Sequence, residues 1–502
     1  MDASTTIRAD LLTLTSEQAM MLSPYLWVFG GTVLAMILSV TRAIQPRLPV
    51  FIVSVLTALV GMVVSLGLFA ADRVMLFNNM MVGDSYANFF NVVFLASAAL
   101  TMLASFEYLD QERLQYGEYY LLVLFAALGM MLMASALDLI VIFIALELMS
   151  LSVYVLVGFR RADRRSNEAA MKYFILGAAA SAILLYGTAL LYGATQSTNI
   201  RDIQAFVQSQ SGGVSIMFTL GAWLVIVGFL FKIASVPFHM WMPDVYEGAP
   251  TPITGFMTTG LKAAAFATFV RIFISTGYGD GLPAAIQSHM HDIIVVCAVL
   301  TMVIGNAVAL TQTNLKRMLA YSSIAHTGYI LVGMIAGQGS EQGYAPVVLY
   351  LVAYAVMNMG AFAVLAILAA RADQGLNLRD FSGLSSRQPW LAFAMSVFLL
   401  SMAGIPPTAG FAAKYLLFYS AVQAHEIGLV VISVLCSAIS VYYYLRVLVH
   451  MYMHEPEEGA APLRPVSVWA AAVVASMVVL TVQIGTLPAG MLAAAKRAVM
   501  SL

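Results

Sequence analysis

The sequence predicts an all-α polytopic membrane protein with about fourteen transmembrane helices. Of its 502 residues, 61% are hydrophobic and only 10% are charged. Mean hydropathy is +0.88. Apolar runs of about 20 residues recur along the whole chain, the length a helix needs to cross a bilayer. Lipid offers no partner to backbone N–H and C=O groups, so only helices or closed barrels span it, and runs that are continuously apolar rather than alternating select helices.

Candidate spans lie at roughly 25–43, 48–70, 88–106, 119–137, 138–160, 168–193, 215–240, 252–276, 290–311, 320–337, 344–370, 390–420, 424–450 and 466–488. The preceding segment, MDASTTIRADLLTLTSEQAM, has one arginine and mixed polarity. It resembles neither a cleavable signal nor a transit peptide, so the first span is expected to act as an uncleaved anchor. Cys297 and Cys436 both fall inside spans, and no disulfide framework or metal site can be built from them. Loops after odd-numbered spans hold Arg42, Arg47, Arg113, Arg160, Arg161, Arg164, Arg165, Lys316, Arg317, Arg371, Arg379, Arg387, Arg446 and Arg464. The opposite face, with both termini, holds only Arg8, Arg73, Arg201, Lys496 and Arg497. Positive charge stays in the cytoplasm, so both termini are expected outside it. A net charge of −1 without any basic tract excludes a nucleic-acid partner.

Five basic residues remain within or beside spans: Lys172, Lys232, Lys262, Arg271 and Lys414. A charge at the bilayer centre costs roughly 2.5 to 3.5 kcal/mol, so such residues pair or line a wet cavity. Arg271 and Lys172 lie near span ends and are expected to snorkel to the headgroups. Lys232, Lys262 and Lys414 are deeper, and either hold helices together as static ion pairs or belong to an ion path. Asp138 opens the fifth span, where a carboxylate favours the helix N-terminus. Glu147 lies nine residues on, about 13 Å along a helix and on its opposite side. At mid-membrane it needs a cation, a proton or water.

Two spans are expected to break. Pro237 removes a backbone donor and clashes with the carbonyl of Ile233, beside Lys232. In SMAGIPPTAGFAAK, the residues Gly404, Pro406, Pro407 and Gly410 precede Lys414. Broken helices at corresponding places in two halves of a transporter mark an ion path and internal repeats. Taking spans 4–8 and 9–13 as repeats, the odd number of crossings makes them inverted, and span 7 pairs with span 12. The chain then divides into a three-helix segment (1–118), a first repeat (119–276), a second repeat (290–450) and a C-terminal helix with a short tail (466–502). His326 is a candidate proton relay, since imidazole titrates near neutrality. His239, seven residues from Lys232, is a second candidate, on the same face if the helix stays regular.

The stretches KIASVPFHMWMPDVYEGAPTPITGF, NLKRMLAYSSIAHTGY, EAAMKYFILGAAASAILLYG and GIPPTAGFAAKYLLF closely resemble the antiporter-like subunits of respiratory complex I, NADH-quinone oxidoreductase, over nearly the whole chain. Among these the subunit N family fits best. Its sister M family typically has glutamate where this chain has Lys414, and its sister L family continues into a long lateral helix. The resemblance implies fourteen helices, inverted five-helix repeats and broken seventh and twelfth helices. It also implies that Glu147 and Lys232 form the charge pair of the first repeat, that Lys262 is the central lysine and that Lys414 is the twelfth-helix lysine. The K-x-x-x-x-P pattern of the first break is met loosely, by KIASVP.

The implied function is proton translocation in a bacterial inner (plasma) membrane, coupled to quinone reduction elsewhere. No dinucleotide loop, cysteine cluster or haem-ligand arrangement occurs in the sequence, so NADH, FMN, iron–sulfur clusters and quinone are expected in partner subunits, with neighbouring membrane-arm subunits as contacts. Lysine suits the task because a desolvated ammonium is destabilised and regains stability beside a carboxylate. Two other readings remain: a subunit of a multisubunit cation/proton antiporter or membrane-bound hydrogenase, and a scaffold with static ion pairs.

Overall fold

A computed structural model of the chain describes residues 14–40, 47–210, 213–276, 284–337, 340, 343–369, 373–456 and 466–502. The loop charges Arg8, Arg42, Arg371 and Arg464 lie outside the described residues. The chain runs through α1 (Ser16–Val40), α2 (Arg47–Gly67), a hairpin of β1 (Val74–Leu76) and β2 (Met81–Gly83), α3 (Ser85–Gln111), α4 (Gly117–Ser135), α5 (Leu139–Val157) and α6 (Arg164–Thr195). A short surface helix, α7 (Ile200–Ser209), leads to α8 (Ile216–Lys232) and α9 (Trp241–Gly248). Next comes one continuous span made of α10 (Thr251–Phe256), a π-helical turn (Met257–Leu261) and α11 (Lys262–Ser275). The second half has α12 (Ala284–Ala309), α13 (Leu315–Ala336), α14 (Ala345–Leu368), the short α15 (Leu384–Arg387), α16 (Pro389–Ala403), α17 (Ala409–Gln423), α18 (Ile427–Met453), α19 (Val468–Thr486) and α20 (Pro488–Met500).

Twelve helices among the described residues are long and apolar enough to cross a membrane. Two shorter apolar helices, α8 and α16, are the first halves of the interrupted spans 7 and 12. The fourteen crossings therefore match the reading from hydropathy, and the differences lie at ends and in loops. Span 1 begins at Ser16, nine residues earlier than expected, because the polar start of the helix is held by mutual Thr15–Gln18 hydrogen bonds. The hairpin, α7 and α20 carry too few residues to register as membrane-scale periodicity, and α20 turns the expected tail into a helix packed on α3 and α14.

Side-chain caps explain many of the starts. Asp84 accepts from Ala87 N (2.7 Å), Asp138 from Ile140 N (2.8 Å) and Asp163 from Arg165 N (2.9 Å), while Asn199, Ser215 and Asn314 do the same for α7, α8 and α13. Each satisfies one orphan N–H of a first helical turn. Asp138 is thus the cap it was expected to be, and its other oxygen accepts from Thr198 Oγ1 (2.6 Å).

Burial sorts the spans into two classes. The windows of Thr251–Ser275 and Leu315–Ala336 are 94% buried, and that of Ala345–Leu368 is 89% buried; the rest lie between 33% and 78%. The first two are also the least apolar of the long helices. Polar residues are tolerated there because these helices face protein rather than lipid. Packing follows a repeated plan: α6 lies against both α8 and α9, and α14 lies against both α16 and α17. In each half, one unbroken helix braces the two pieces of a broken one.

Candidate functional site

The break in span 7 puts Lys232 at the last turn of α8, followed by Ala234 in the left-handed region (φ 55°). Breaking a helix at depth frees carbonyls that lipid cannot satisfy. Here Trp241 Nε1 donates to Phe231 O (3.1 Å) and Thr327 Oγ1 donates to Ile233 O (2.9 Å). Lys232 is buried, and its Nζ donates to Ser150 Oγ (2.9 Å). Ser150 is nearly one turn beyond Glu147 on α5, so the lysine stops beside the carboxylate without pairing with it. Glu147 acts on Lys232 through space. Its Oε1 is buried and has no hydrogen-bond partner.

Lys262 begins α11 directly after the π-helical turn, a distortion frequent at functional sites. Its Nζ donates to Ser323 O (2.7 Å), Ser323 Oγ (2.5 Å) and Thr327 Oγ1 (2.9 Å), all on α13. Tyr354 donates to the same Ser323 hydroxyl (2.7 Å), and the ammonium lies 5.2 Å from the centre of the Tyr354 ring. Lys232 and Lys262 also line one narrow cavity, between Trp241, Tyr246 and Met257. Thr327 therefore touches both the central lysine and the carbonyl exposed by the first break.

His326, buried on α13, lies within electrostatic reach of both Lys262 and Lys414. Its Nδ1 is 2.7 Å from Tyr350 Oη and its Nε2 is 3.3 Å from Tyr444 Oη, which in turn bonds to Ser322. The ring sits between those of Tyr354 (5.2 Å) and Tyr329 (5.6 Å). Lys414 stands 5.1 Å from the Tyr329 ring centre. In span 12, α16 ends at Gly404 in the left-handed region (φ 88°), and Lys414 Nζ folds back to Met402 O (2.9 Å), Ala403 O (3.2 Å) and Ser437 Oγ (2.9 Å). Gly410 is required where α17 turns back on α16: a Cβ there would sit 1.8 Å from Ser401 O. The lysine is thus the cap of the half-helix that precedes it.

Two sequence expectations change, and two of the loop charges are buried. Arg271 does not snorkel: its guanidinium is 1% exposed and bonds twice to Asp84, at 2.8 and 2.9 Å, with Nε on Ala134 O. Asp84 is itself fully buried, and removing either partner would leave the other as an uncompensated buried charge. His239 does not share a helical face with Lys232, because α8 ends at Lys232; its ring is half-buried, with a buried Nδ1 that has no partner. Arg160 and Lys316 are not solvated loop charges. Both are buried on Asp373, at 3.0 and 2.9 Å, and they also donate to Gly248 O and Ala249 O at the end of α9. Burial alone would push the Asp373 carboxyl up, but Lys316 and Arg160 hold it below the usual carboxylate range. Lys172 stays at the membrane edge, paired with Glu168 (2.8 Å) and Asp244 (2.9 Å).

Ser150, Ser323, Thr327, Tyr350, Tyr354, Tyr444 and Ser437 complete the network and were not singled out from sequence. Ser323, His326 and Thr327 had a signal, since positions i, i+3 and i+4 share a helix face. The tyrosines had none, being scattered among apolar residues on other helices. No group of three or more His, Cys, Asp or Glu side chains that could hold a metal occurs among the described residues.

Residues 136–440 match the family described as NADH:quinone oxidoreductase/Mrp antiporter, TM. An NADH-quinone oxidoreductase subunit N of Trichlorobacter lovleyi is 50% identical over 382 residues, covering 76% of this chain and 77% of its own. The chain belongs to the subunit N family of NADH-quinone oxidoreductase. A subunit N 2 of Rhizobium meliloti is 44% identical over 420 residues, 83% of this chain and 85% of its own. A chain of respiratory complex I from Thermus thermophilus superposes with a TM-score of 0.79 at 34% identity, covering 94% of this chain and 98% of that one. A chain of the Mrp complex from Dietzia sp. DQ12-45-1b superposes with a TM-score of 0.83 over 97% of this chain and 98% of its own, but at 22% identity that likeness shows the fold alone.

Proposed function

We propose that this subunit N chain translocates protons along a file of Glu147, Lys232, Lys262, His326 and Lys414, in a membrane arm whose partner subunits hold NADH, FMN, iron–sulfur clusters and quinone. One observation carries the reading. The hydrogen bonds of the three deep lysines go to neutral oxygens, and each lysine touches at least one hydroxyl. An ammonium has three donors and an amine two, while a hydroxyl can donate or accept. Each lysine can therefore lose a proton with little rearrangement. Lys414 keeps its two carbonyls, and Ser437 reverses to donate into the vacated lone pair. Lys262 keeps Ser323 O and one hydroxyl, and the other hydroxyl reverses.

Glu147 supplies the bias. When its carboxylate closes on Lys232 the ammonium is held; when it is drawn away the proton passes through the shared cavity toward Lys262. Quinone reduction in the partner arm shifts that pairing, a coupling that is reciprocal by linkage. His326 then joins Lys262 to Lys414, and His239 stands outside this file. We take residues 119–276 and 290–450 as the two inverted units, because the α6 brace on α8 and α9 is matched by the α14 brace on α16 and α17. The basic loops of odd spans put both termini on the non-cytoplasmic side of a bacterial inner membrane.

The test uses Glu147→Gln and Lys232→Ala in the assembled complex, reconstituted in proteoliposomes. Each is expected to lower coupled proton pumping on the order of 10²-fold, the scale of losing one proton-transfer group. Pumping at the unaltered rate in both, with normal assembly, would reject the file.

A further inference from the structure

A second cavity lies far from the lysine file. It is a groove of about 370 Å³ walled by α2, α3, α14, α19 and α20, with Leu66, Phe89, Ala96, Met359 and Met477 among its lining. That volume is in the range of about 300 to 1,000 Å³ typical of ligand sites. Ser97 is the only polar side chain in its wall, so nothing inside could fix a polar ring or an ion. The groove suits a flexible apolar chain. Phe69 also lines it, and the Arg497 guanidinium stands 5.6 Å from the Phe69 ring centre. Met491 and Ala494 of α20 close the same end, and Lys496 and Arg497 follow them within a turn, both exposed.

Charge on this face is not scattered. Its exposed Lys and Arg among the described residues are Arg73, Arg201, Lys496 and Arg497, while Arg271 nearby is buried on Asp84. Arg73 donates to the C-terminal Leu502 O (2.9 Å), and Arg201 is close enough to act on Arg73 electrostatically. Arg73 is thereby engaged by the C-terminus, and Asp202 adjoins Arg201. Lys496 and Arg497 form no ion pair among the described residues. We propose that this groove binds one acyl chain of an anionic phospholipid, whose head group is held by Lys496 and Arg497. An apolar slot with the Arg497 cation at its Phe69 end, and Lys496 exposed on the adjoining turn, complements a lipid of that charge, because basic residues at a membrane surface attract anionic head groups. The bound chain fills the gap between the N-terminal three-helix segment, the central α14 and the C-terminal helices.

The test applies phosphatidylglycerol and phosphatidylcholine, each with a photoreactive acyl chain, to the intact complex in proteoliposomes, and maps labelled peptides by mass spectrometry. Phosphatidylglycerol is expected to label the peptides that contain Met359, Met477 and Met491. Ala96→Phe should reduce that labelling by filling the groove. Lys496→Gln with Arg497→Gln should reduce it about fivefold per charge, toward the phosphatidylcholine level. Quinone reductase activity serves as the assembly control. Equal labelling by both lipids in the unaltered complex would overturn head-group recognition. Absence of label from the groove, as when a partner polypeptide covers it, would overturn the site itself.

Discussion

In span 7 the carbonyls freed by the break are capped by neutral donors, Trp241 and Thr327, whereas in span 12 they are capped by Lys414 itself. The fault is the same in both: proline in a membrane helix. The solutions leave the two lysines in different positions. Lys232 is released from any capping duty and rests on Ser150 beside Glu147. Lys414 serves the backbone, and Ser437 Oγ is its one hydroxyl contact among the described residues. The second halves differ as well. The end of α9 is clamped by Arg160 and Lys316 on Asp373, and by Arg317 on Asp244 (2.7 Å) and Glu247 (2.9 Å); the end of α17 has a Ser340–Gln423 hydrogen bond (3.0 Å) and a Glu426–His291 contact (2.8 Å). A carboxylate partner therefore suits a lysine without structural work, and a purely neutral surround suits one that caps a helix.

The largest effect is expected at the clamp. Asp373→Asn leaves Lys316 buried without its counter-charge and Arg160 with only Asp163 (3.4 Å), a loss of about 3 to 5 kcal/mol. Stability of the purified complex against heat or urea checks it. Because the Asp373 carboxyl is held below its usual range, its contribution is fully present above the unfolded carboxylate value, about 3.9, and is lost as pH falls through the lower folded value. The variant should lose that acid-dependent step, while span 12 stays unaffected. If Asp373→Asn retains the step, the clamp is not what distinguishes the first break.

Lys414→Arg comes next. Arginine keeps the charge and enough donors for both carbonyls but does not deprotonate. Assembly should be normal and coupled pumping should fall on the order of 10²-fold, about 2.7 kcal/mol of barrier. Assembled complex that pumps normally would leave Lys414 as a cap alone and make the contrast with Lys232 one of structure only.

The smallest change is Trp241→Phe, which removes the indole donor from Phe231 O but leaves that carbonyl its bond from Ala234 N (3.0 Å), a loss of about 0.5 to 1.5 kcal/mol for one hydrogen bond. It should lower stability while pumping stays within about twofold, since Trp241 walls the cavity shared by Lys232 and Lys262 but donates to neither lysine, and phenylalanine keeps the wall apolar. A pumping loss as deep as that of Lys414→Arg would mean that the caps of the two breaks are not separable from proton transfer.

The sequence by itself determined the membrane class, the fourteen crossings, both breaks and the presence of Lys232, Lys262 and Lys414 at depth. These follow from the local cost of polar backbone and charge in lipid, which a single strand of residues records. Tertiary structure alone decided the partners. Arg271 near a span end had every reason to snorkel until Asp84, 187 residues away, was found opposite it. His239 stood one heptad from Lys232 until the chain turned between them. The hydroxyls of Ser150, Ser437, Tyr350 and Tyr444 gave no pattern, because a hydrogen bond across a bundle depends on how helices far apart in sequence pack. Periodicity records which way a side chain faces along its own helix; what it meets there is a property of the neighbouring helix.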